Sequence, residues 1–247
     1  MRSLVYKIEG EGFPLLFLHG FLEDLRMWDF LPTSQLKFKK IFFDLPGHGS
    51  SSFLEDSPSI ASIAVLIINE LKQLGIYKFH VVGHSMGGYV ALELAKYGVV
   101  EKLVLLNSNF WEDSEQKKKD RDRVVTIVNT SKDLFINEGI KTLFAQSHCF
   151  ENEIRTLVDY AKKYPVEGII YATLAMKNRL NQIKVCVDLR EKLLVIQGEK
   201  DQSTPLQSMK DLLPKENLLY VIPGIGHMSY IESPELVTQK LEMFFSE

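Results

Sequence analysis

The sequence predicts an α/β protein: a mostly parallel sheet with helices on both faces and one inserted helical segment. Three observations carry this. Short apolar runs that stop at Gly, or at a loop rich in Gly, Pro and Ser, alternate with segments of helical periodicity. Several runs are apolar nearly throughout, as strands buried on both faces require. The alternation is broken once, between about Trp111 and Asp188, and then resumes unchanged.

Taken in order, "SLVYKI" reads as a strand and "EGEG" as a turn. "PLLFLHG" is a buried strand ending at Gly20. "KKIFFDLPGHGSS" is a strand that runs into a loop. "SPSIASIAVLIINELKQLGI" has a Ser-Pro start, an apolar stripe at helical spacing and Gly75 near its end, so it is a helix. "YKFHVVGHS" is a strand, "MGGYVALELAKYG" a helix closed by Gly98, and "VEKLVLLNS" the next strand. After the interruption come the strand "EKLLVIQGEKD", the helix "TPLQSMKDLLP", the strand "NLLYVIPG" and the helix "SPELVTQKLEMFFSE". Right-handed βαβ units follow from this order.

The interruption repeats apolar residues at helical spacing, among them Val124, Val128, Leu134, Phe135, Leu143, Leu157, Ile169 and Leu174. Extra helices in a single core are one reading. The preferred one is a cap, residues 111–188, over the C-terminal ends of the strands, with residues 1–110 and 189–247 forming the core domain. The charge run "EDSEQKKKDRDR" that opens the segment reads as a solvated helix start.

Composition narrows the function. The chain has 247 residues, 45% hydrophobic and 25% charged, with a net charge of −3. This is an ordinary globular profile, with no basic excess to suggest nucleic acid or an anionic membrane surface. Cys149 and Cys186 match no metal spacing and read as free thiols. The start "MRSLVYKIEGEG" has no apolar signal core, and "IASIAVLII" is too short to span a bilayer. The expectation is a cytoplasmic protein, monomer or homodimer, acting on a small molecule.

The chemistry centres on "VVGHSMGGYVALEL". Gly83, Ser85 and Gly87 form G-x-S-x-G at the junction of a strand and a helix, where a nucleophile elbow sits. The sharp turn strains the central residue and needs small neighbours. A serine needs a base. Of six histidines, only His227 follows the late strands, in the loop "IPGIGHMSYIESPE". The acid should follow the preceding strand, where "LLVIQGEKDQSTP" supplies Asp201. Glu199 is a weaker candidate, and the corresponding position after "LVLLN" offers only Asn107 and Asn109. The oxyanion donors expected are the backbone N–H groups of Met86 and Phe21. His19 is expected to brace its loop, and His84 to face away from the serine.

Together "FLHGFLEDLRMW", "FFDLPGHGSS", "VVGHSMGGYVALELA", "LVIQGEKDQSTP" and "IPGIGHMSYIESPE" resemble the α/β-hydrolase fold family, in the family's order and over essentially the whole chain. The resemblance implies an eight-stranded, mostly parallel sheet, a Ser85–Asp201–His227 triad, Phe21 and Met86 as oxyanion donors, and no metal or organic cofactor. It implies structural roles for Asp44 and His48. Ser rather than Asp at position 85 argues against a haloalkane dehalogenase. The function expected is a serine hydrolase, carboxylesterase-like, cleaving a small to medium ester or thioester. Two alternatives stay open. One is C–C cleavage or elimination on an anionic substrate, since a menaquinone-pathway lyase is similar in size and motifs; Lys177 and Arg179 would then be candidate cations. The other is a ligand receptor without catalysis.

Overall fold

A computed structural model describes residues 4–53, 57–213, 215 and 218–246. Ser3, Pro214, Asn217 and Glu247, assigned above to strand or helix ends, lie outside the described residues.

The strands are β1 (Tyr6–Glu9), β2 (Pro14–Leu18), β3 (Lys39–Phe43), β4 (Phe79–His84), β5 (Val100–Leu106), β6 (Leu193–Gly198) and β7 (Leu219–Ile222). They form one sheet in the order β1-β3-β2-β4-β5-β6-β7. All neighbours pair in parallel except β1, which runs antiparallel to β3 at the edge. The sheet among the described residues therefore has seven strands, not eight. The apolar runs of strand type in the sequence number seven, and the sheet pairs all of them; the eighth was implied by resemblance alone.

Both faces of the sheet are buried, and each strand splits its side chains between two cores because the strand period is two. Leu16, Leu18, Ile41, Phe43, Val81, Leu103, Leu105 and Val195 pack on one face. Leu15, Phe17, Phe42, Val82, Val104, Leu106 and Ile196 pack on the other. Helices α1 (Ile60–Gln73) and α2 (Met86–Ala95) cover the first face. In α1 the buried positions Ile60, Ile63, Ala64, Ile67, Ile68 and Leu71 form one stripe. Each large member contributes about 2 kcal/mol by burial. Ser59 caps the start, accepting the Ser62 N–H at 3.3 Å. Gly75, at φ +70°, ends it in the left-handed region, with the Ile76 N–H reaching back to the Leu71 carbonyl.

Between β5 and β6 run α3 (Glu115–Lys141), α4 (Glu151–Ala161), α5 (Val166–Lys177) and α6 (Ile183–Leu189). Helix α3 kinks at Ser131, whose φ of −147° and ψ of 47° are not helical. These helices are tied to the rest of the protein at named points. The Tyr164 hydroxyl donates to Asp24 Oδ2 at 2.6 Å. Gly47 meets Gly168 so closely that a Cβ on Gly47 would stand 2.5 Å from the Gly168 Cα. The His227 N–H donates to the Leu143 carbonyl at 2.8 Å. After β6 come α7 (Leu206–Leu212), α8 (Ser229–Glu232) and α9 (Pro234–Ser246), of which α9 buries Val237, Leu241 and Phe245 on the second face. No helix among the described residues is long and apolar enough to cross a membrane.

Candidate active site

Ser85 is the first residue beyond β4 and stands immediately before α2. Its φ of 48° and ψ of −115° are strained for a residue with a Cβ. The turn is over-determined by its neighbours. The Ser85 N–H donates to the Leu106 carbonyl at 3.0 Å, and the Ser85 carbonyl accepts from Ser108 Oγ at 2.6 Å. A Cβ on Gly83 would lie 2.5 Å from the Gly87 carbonyl oxygen, and one on Gly87 only 2.1 Å from that of Leu18. Both glycines are thus required by close backbone approach. Among residues 81–90 Ser85 alone is not buried.

Asp201 is buried just past β6 and His227 is buried in the loop after β7. His227 Nδ1 lies 2.8 Å from Asp201 Oδ2. The same oxygen accepts from Thr204 Oγ1 at 2.6 Å, Asn107 Nδ2 at 2.9 Å and Gln197 Nε2 at 3.1 Å. Oδ1 accepts the N–H groups of Ser203 at 2.8 Å and Thr204 at 3.1 Å. Burial works to raise the Asp201 pKa, but the His227 charge and these donors outweigh it and hold the carboxyl far below its ordinary range. An ionised Asp201 fixes the proton of neutral His227 on Nδ1 and leaves Nε2 free to accept. Burial lowers the His227 pKa; the charge and hydrogen bond of Asp201, with the charges of Glu23 and Glu232, raise it further than burial lowers it.

His227 and Ser85 line one cavity of about 770 Å³, the size of a small-molecule site. Phe21, Leu22, Glu23 and His84 share that wall. The loop carrying Phe21 lies against the elbow: a Cβ on Gly20 would stand 3.1 Å from the Ser85 Cβ. The Phe21 N–H has no hydrogen-bond partner among the described residues. Met86 opens α2, where the first N–H groups lack intrahelical acceptors. His19 bonds the Gly20 carbonyl through Nδ1 at 2.7 Å and accepts the Leu45 N–H at 2.8 Å, so it clamps this loop to the one after β3. Asp44 accepts the N–H groups of Leu25 and Ser50, at 2.9 and 2.8 Å.

Some expectations change. His84 does not face away; it lines the cavity and bonds both Glu23 and the His227 carbonyl. Glu199 is exposed and accepts the Gly224 N–H at 2.8 Å, apart from the Asp201–His227 pair. Lys177 pairs with Asp122 across α3 and α5 at 2.5 Å. Sequence reasoning missed Glu23, Gln197 and Thr204, and it set Asn107 aside for lacking a carboxylate. Asn107 donates to Asp201 and to the Gly226 carbonyl while accepting from Ser229 Oγ. It also missed Lys117 and Arg121, two cavity-lining residues inside the charge run.

A family model described as the alpha/beta hydrolase fold matches residues 14–234. The chain belongs to the α/β-hydrolase fold family. Among curated relatives, an acetyltransferase component of the acetoin cleaving system of Pseudomonas putida is 28% identical over 97% of this chain. The aligned part is 65% of that longer protein, so the chain spans about two thirds of this relative's length. The 2-succinyl-6-hydroxy-2,4-cyclohexadiene-1-carboxylate synthase of Escherichia coli K12 is 27% identical, with 93% of each chain aligned. Among solved structures, an esterase from Thermogutta terrifontis superposes with a TM-score of 0.86 at 27% identity, covering 98% of this chain and 93% of that one. An α/β-hydrolase enzyme from a Medee basin deep-sea metagenome library gives 0.86 at 25% identity, covering 99% and 94%.

Proposed function

We propose that the protein is a serine hydrolase that cleaves a small to medium ester or thioester through an acyl-enzyme. The observation that carries this reading is the Asp201–His227 hydrogen bond at 2.8 Å, with His227 on the same cavity as the strained Ser85. In this reading Ser85 Oγ attacks the acyl carbon and His227 Nε2 takes its proton. The tetrahedral oxyanion is held by the N–H groups of Phe21 and Met86, each worth about 3–4 kcal/mol in such sites. His227 then gives the proton to the leaving alcohol or thiol. A water molecule deprotonated by His227 attacks the acyl carbon and releases the acid. Asp201 stabilises the imidazolium throughout. Residues 111–188 act as the cap that closes the cavity: Val124, Phe135, Ile140, Leu143 and Met176 line it beside the catalytic groups.

The test is turnover of p-nitrophenyl esters of graded chain length by the wild type and Ser85→Ala. Turnover abolished in Ser85→Ala supports the reading; equal turnover in both refutes it.

A second reading rests on the Escherichia coli synthase, aligned over 93% of each chain. In it His227, or Ser85 activated by it, abstracts a proton to start an elimination with no acyl-enzyme. Fast elimination on a synthase-type substrate beside negligible ester turnover favours this second reading.

A further inference from the structure

We propose that the α3 wall of the cavity binds a carboxylate, so that the esters cleaved at Ser85 carry a free carboxylate on an otherwise apolar body. The ester depends on the serine-hydrolase reading above; the anion site itself does not.

Lys117, Arg121 and Val124 recur at helical spacing on α3, and all three line the cavity. Val128, next on the same stripe, is buried in the core. The charged start of α3 therefore borders the cavity, with Lys117 exposed and Arg121 and Val124 partly buried along one stripe. Arg121 and Arg179 are held by a single carboxylate: Arg121 Nε lies 3.1 Å from Asp113 Oδ2, and Arg179 Nη1 lies 2.7 Å from Asp113 Oδ1. Arg179 is fixed further by the carbonyls of Trp111 and Met176 and by the Tyr89 ring, whose centroid is 4.2 Å from its guanidinium carbon.

One carboxylate between two guanidiniums leaves one positive charge uncompensated. Asp113 occupies only Nε of Arg121. The Nη1–Nη2 edge, which matches a carboxylate as a two-pronged fork, has no protein partner among the described residues. The Lys117 ammonium likewise has no ion-pair partner among the described residues. Partial enclosure against the wall pushes its pKa below the usual lysine value and the charges of Arg121 and Arg179 add to this, against Asp113 and Asp120, while the side chain keeps its contact with solvent. An anion on this wall relieves that repulsion.

The wall's other charges do not cancel the effect. Lys118 is paired with Glu115 at 2.8 Å. That leaves Glu112 as the remaining acidic lining residue here, so Lys117, Lys118, Arg121 and Arg179 stand against Glu112, Asp113 and Glu115. The N-terminus of the long helix α3 adds its partial positive charge at the same place. A purely structural network would explain the Asp113 bridges, but not the unbonded Nη1–Nη2 edge of Arg121, a partly buried guanidinium on the cavity wall.

The test compares mono-p-nitrophenyl adipate with p-nitrophenyl hexanoate, which has the same chain length and no charge. A second arm uses 4-carboxyphenyl hexanoate, with the carboxylate on the alcohol side. The expected result is a kcat/KM preference of at least about tenfold for one charged ester over its neutral counterpart. Lys117→Gln and Arg121→Gln should each reduce that ratio by about tenfold, and Arg121→Lys should restore part of it. Lys117→Gln breaks no ion pair, so its effect does not depend on lost folding. Binding of monomethyl adipate to Ser85→Ala by calorimetry separates the two proposals. Binding that Lys117→Gln weakens supports the anion site even if Ser85 hydrolyses nothing. No charged-ester preference and no such binding overturns it.

Discussion

The imidazole of His84 bridges Glu23 and the backbone of His227: Nδ1 lies 2.9 Å from Glu23 Oε2, and Nε2 lies 3.1 Å from the His227 carbonyl. Both ring nitrogens therefore face acceptors. Glu23 also accepts the Gly20 N–H at 2.6 Å and the Tyr230 hydroxyl at 2.9 Å. One buried carboxylate thus connects the loop after β2, the turn at Ser85 and the loop of His227. Burial raises the Glu23 pKa, but the His84 charge and hydrogen bond lower it further, so Glu23 stays ionised.

Glu23→Gln should act on His227 through charge. Glu23 is one of the carboxylates that raise the His227 pKa. Removing its charge disfavours the imidazolium, so the His227 pKa falls. Because a general base must be unprotonated, the acid limb of the kcat/KM profile moves to lower pH. The wild-type limb should lie above about pH 6.5, the ordinary histidine value. A pH profile of p-nitrophenyl butyrate hydrolysis for both proteins measures the shift; an unmoved limb contradicts it.

Asp201→Asn should lower kcat/KM by about 10⁴, the scale seen when the orienting acid of a triad is neutralised. It should also change the response of stability to acid. The folded-state pKa of Asp201 is depressed, so its contribution is fully present above the unfolded value of about 4 and is lost as pH falls towards the folded value. Between pH 6 and pH 3 the Tm of Asp201→Asn should therefore fall less than that of the wild type. Parallel thermal scans across that range check the sign.

Gly87→Ala should be severe without touching substrate. Its Cβ would stand 2.1 Å from a backbone oxygen of β2. Such overpacking costs about 3 kcal/mol or more. For a chain of this size that is a Tm loss of roughly 6–12 °C. Gly98→Ala is the contrast: at φ +67° with nothing within 4 Å of its Cβ, it carries only the left-handed backbone penalty of about 1–2 kcal/mol.

Tyr164→Phe should loosen the helices between β5 and β6. The lost bond to Asp24 is buried and charge-assisted, worth about 1.5–3 kcal/mol. Faster proteolysis within α3–α5, before any cleavage of the core strands, is the expected readout.

How much of this was legible follows from the physics of each residue. Strands β2 to β6 were readable because they are buried on both faces, whereas the exposed edge strand β1 was readable from the turn that follows it. The elbow was readable because glycines flank a serine where a β-branched run gives way to helical periodicity. That Ser85, Asp201 and His227 come to one edge was readable because a parallel sheet delivers its strand ends there. Glu23, Asn107, Gln197 and Thr204 could not: the first two and Thr204 matter through loops that approach one another, and Gln197 is a polar side chain of β6 turned onto the Asp201 loop, none of which leaves a periodic trace. Lys117 and Arg121 sat inside a run of charges, where composition says solvent. The helical spacing of 117, 121, 124 and 128 was the available signal, and the density of lysines around it hid it. The eighth strand came from resemblance, without an apolar run to form it.

The most direct test of the central claim is labelling of the folded protein with a fluorophosphonate, located by peptide mass spectrometry. The account predicts a single adduct on Ser85, lost in Ser85→Ala and strongly slowed in His227→Ala. A folded protein whose Ser85 stays unlabelled while it turns over its substrate would contradict it.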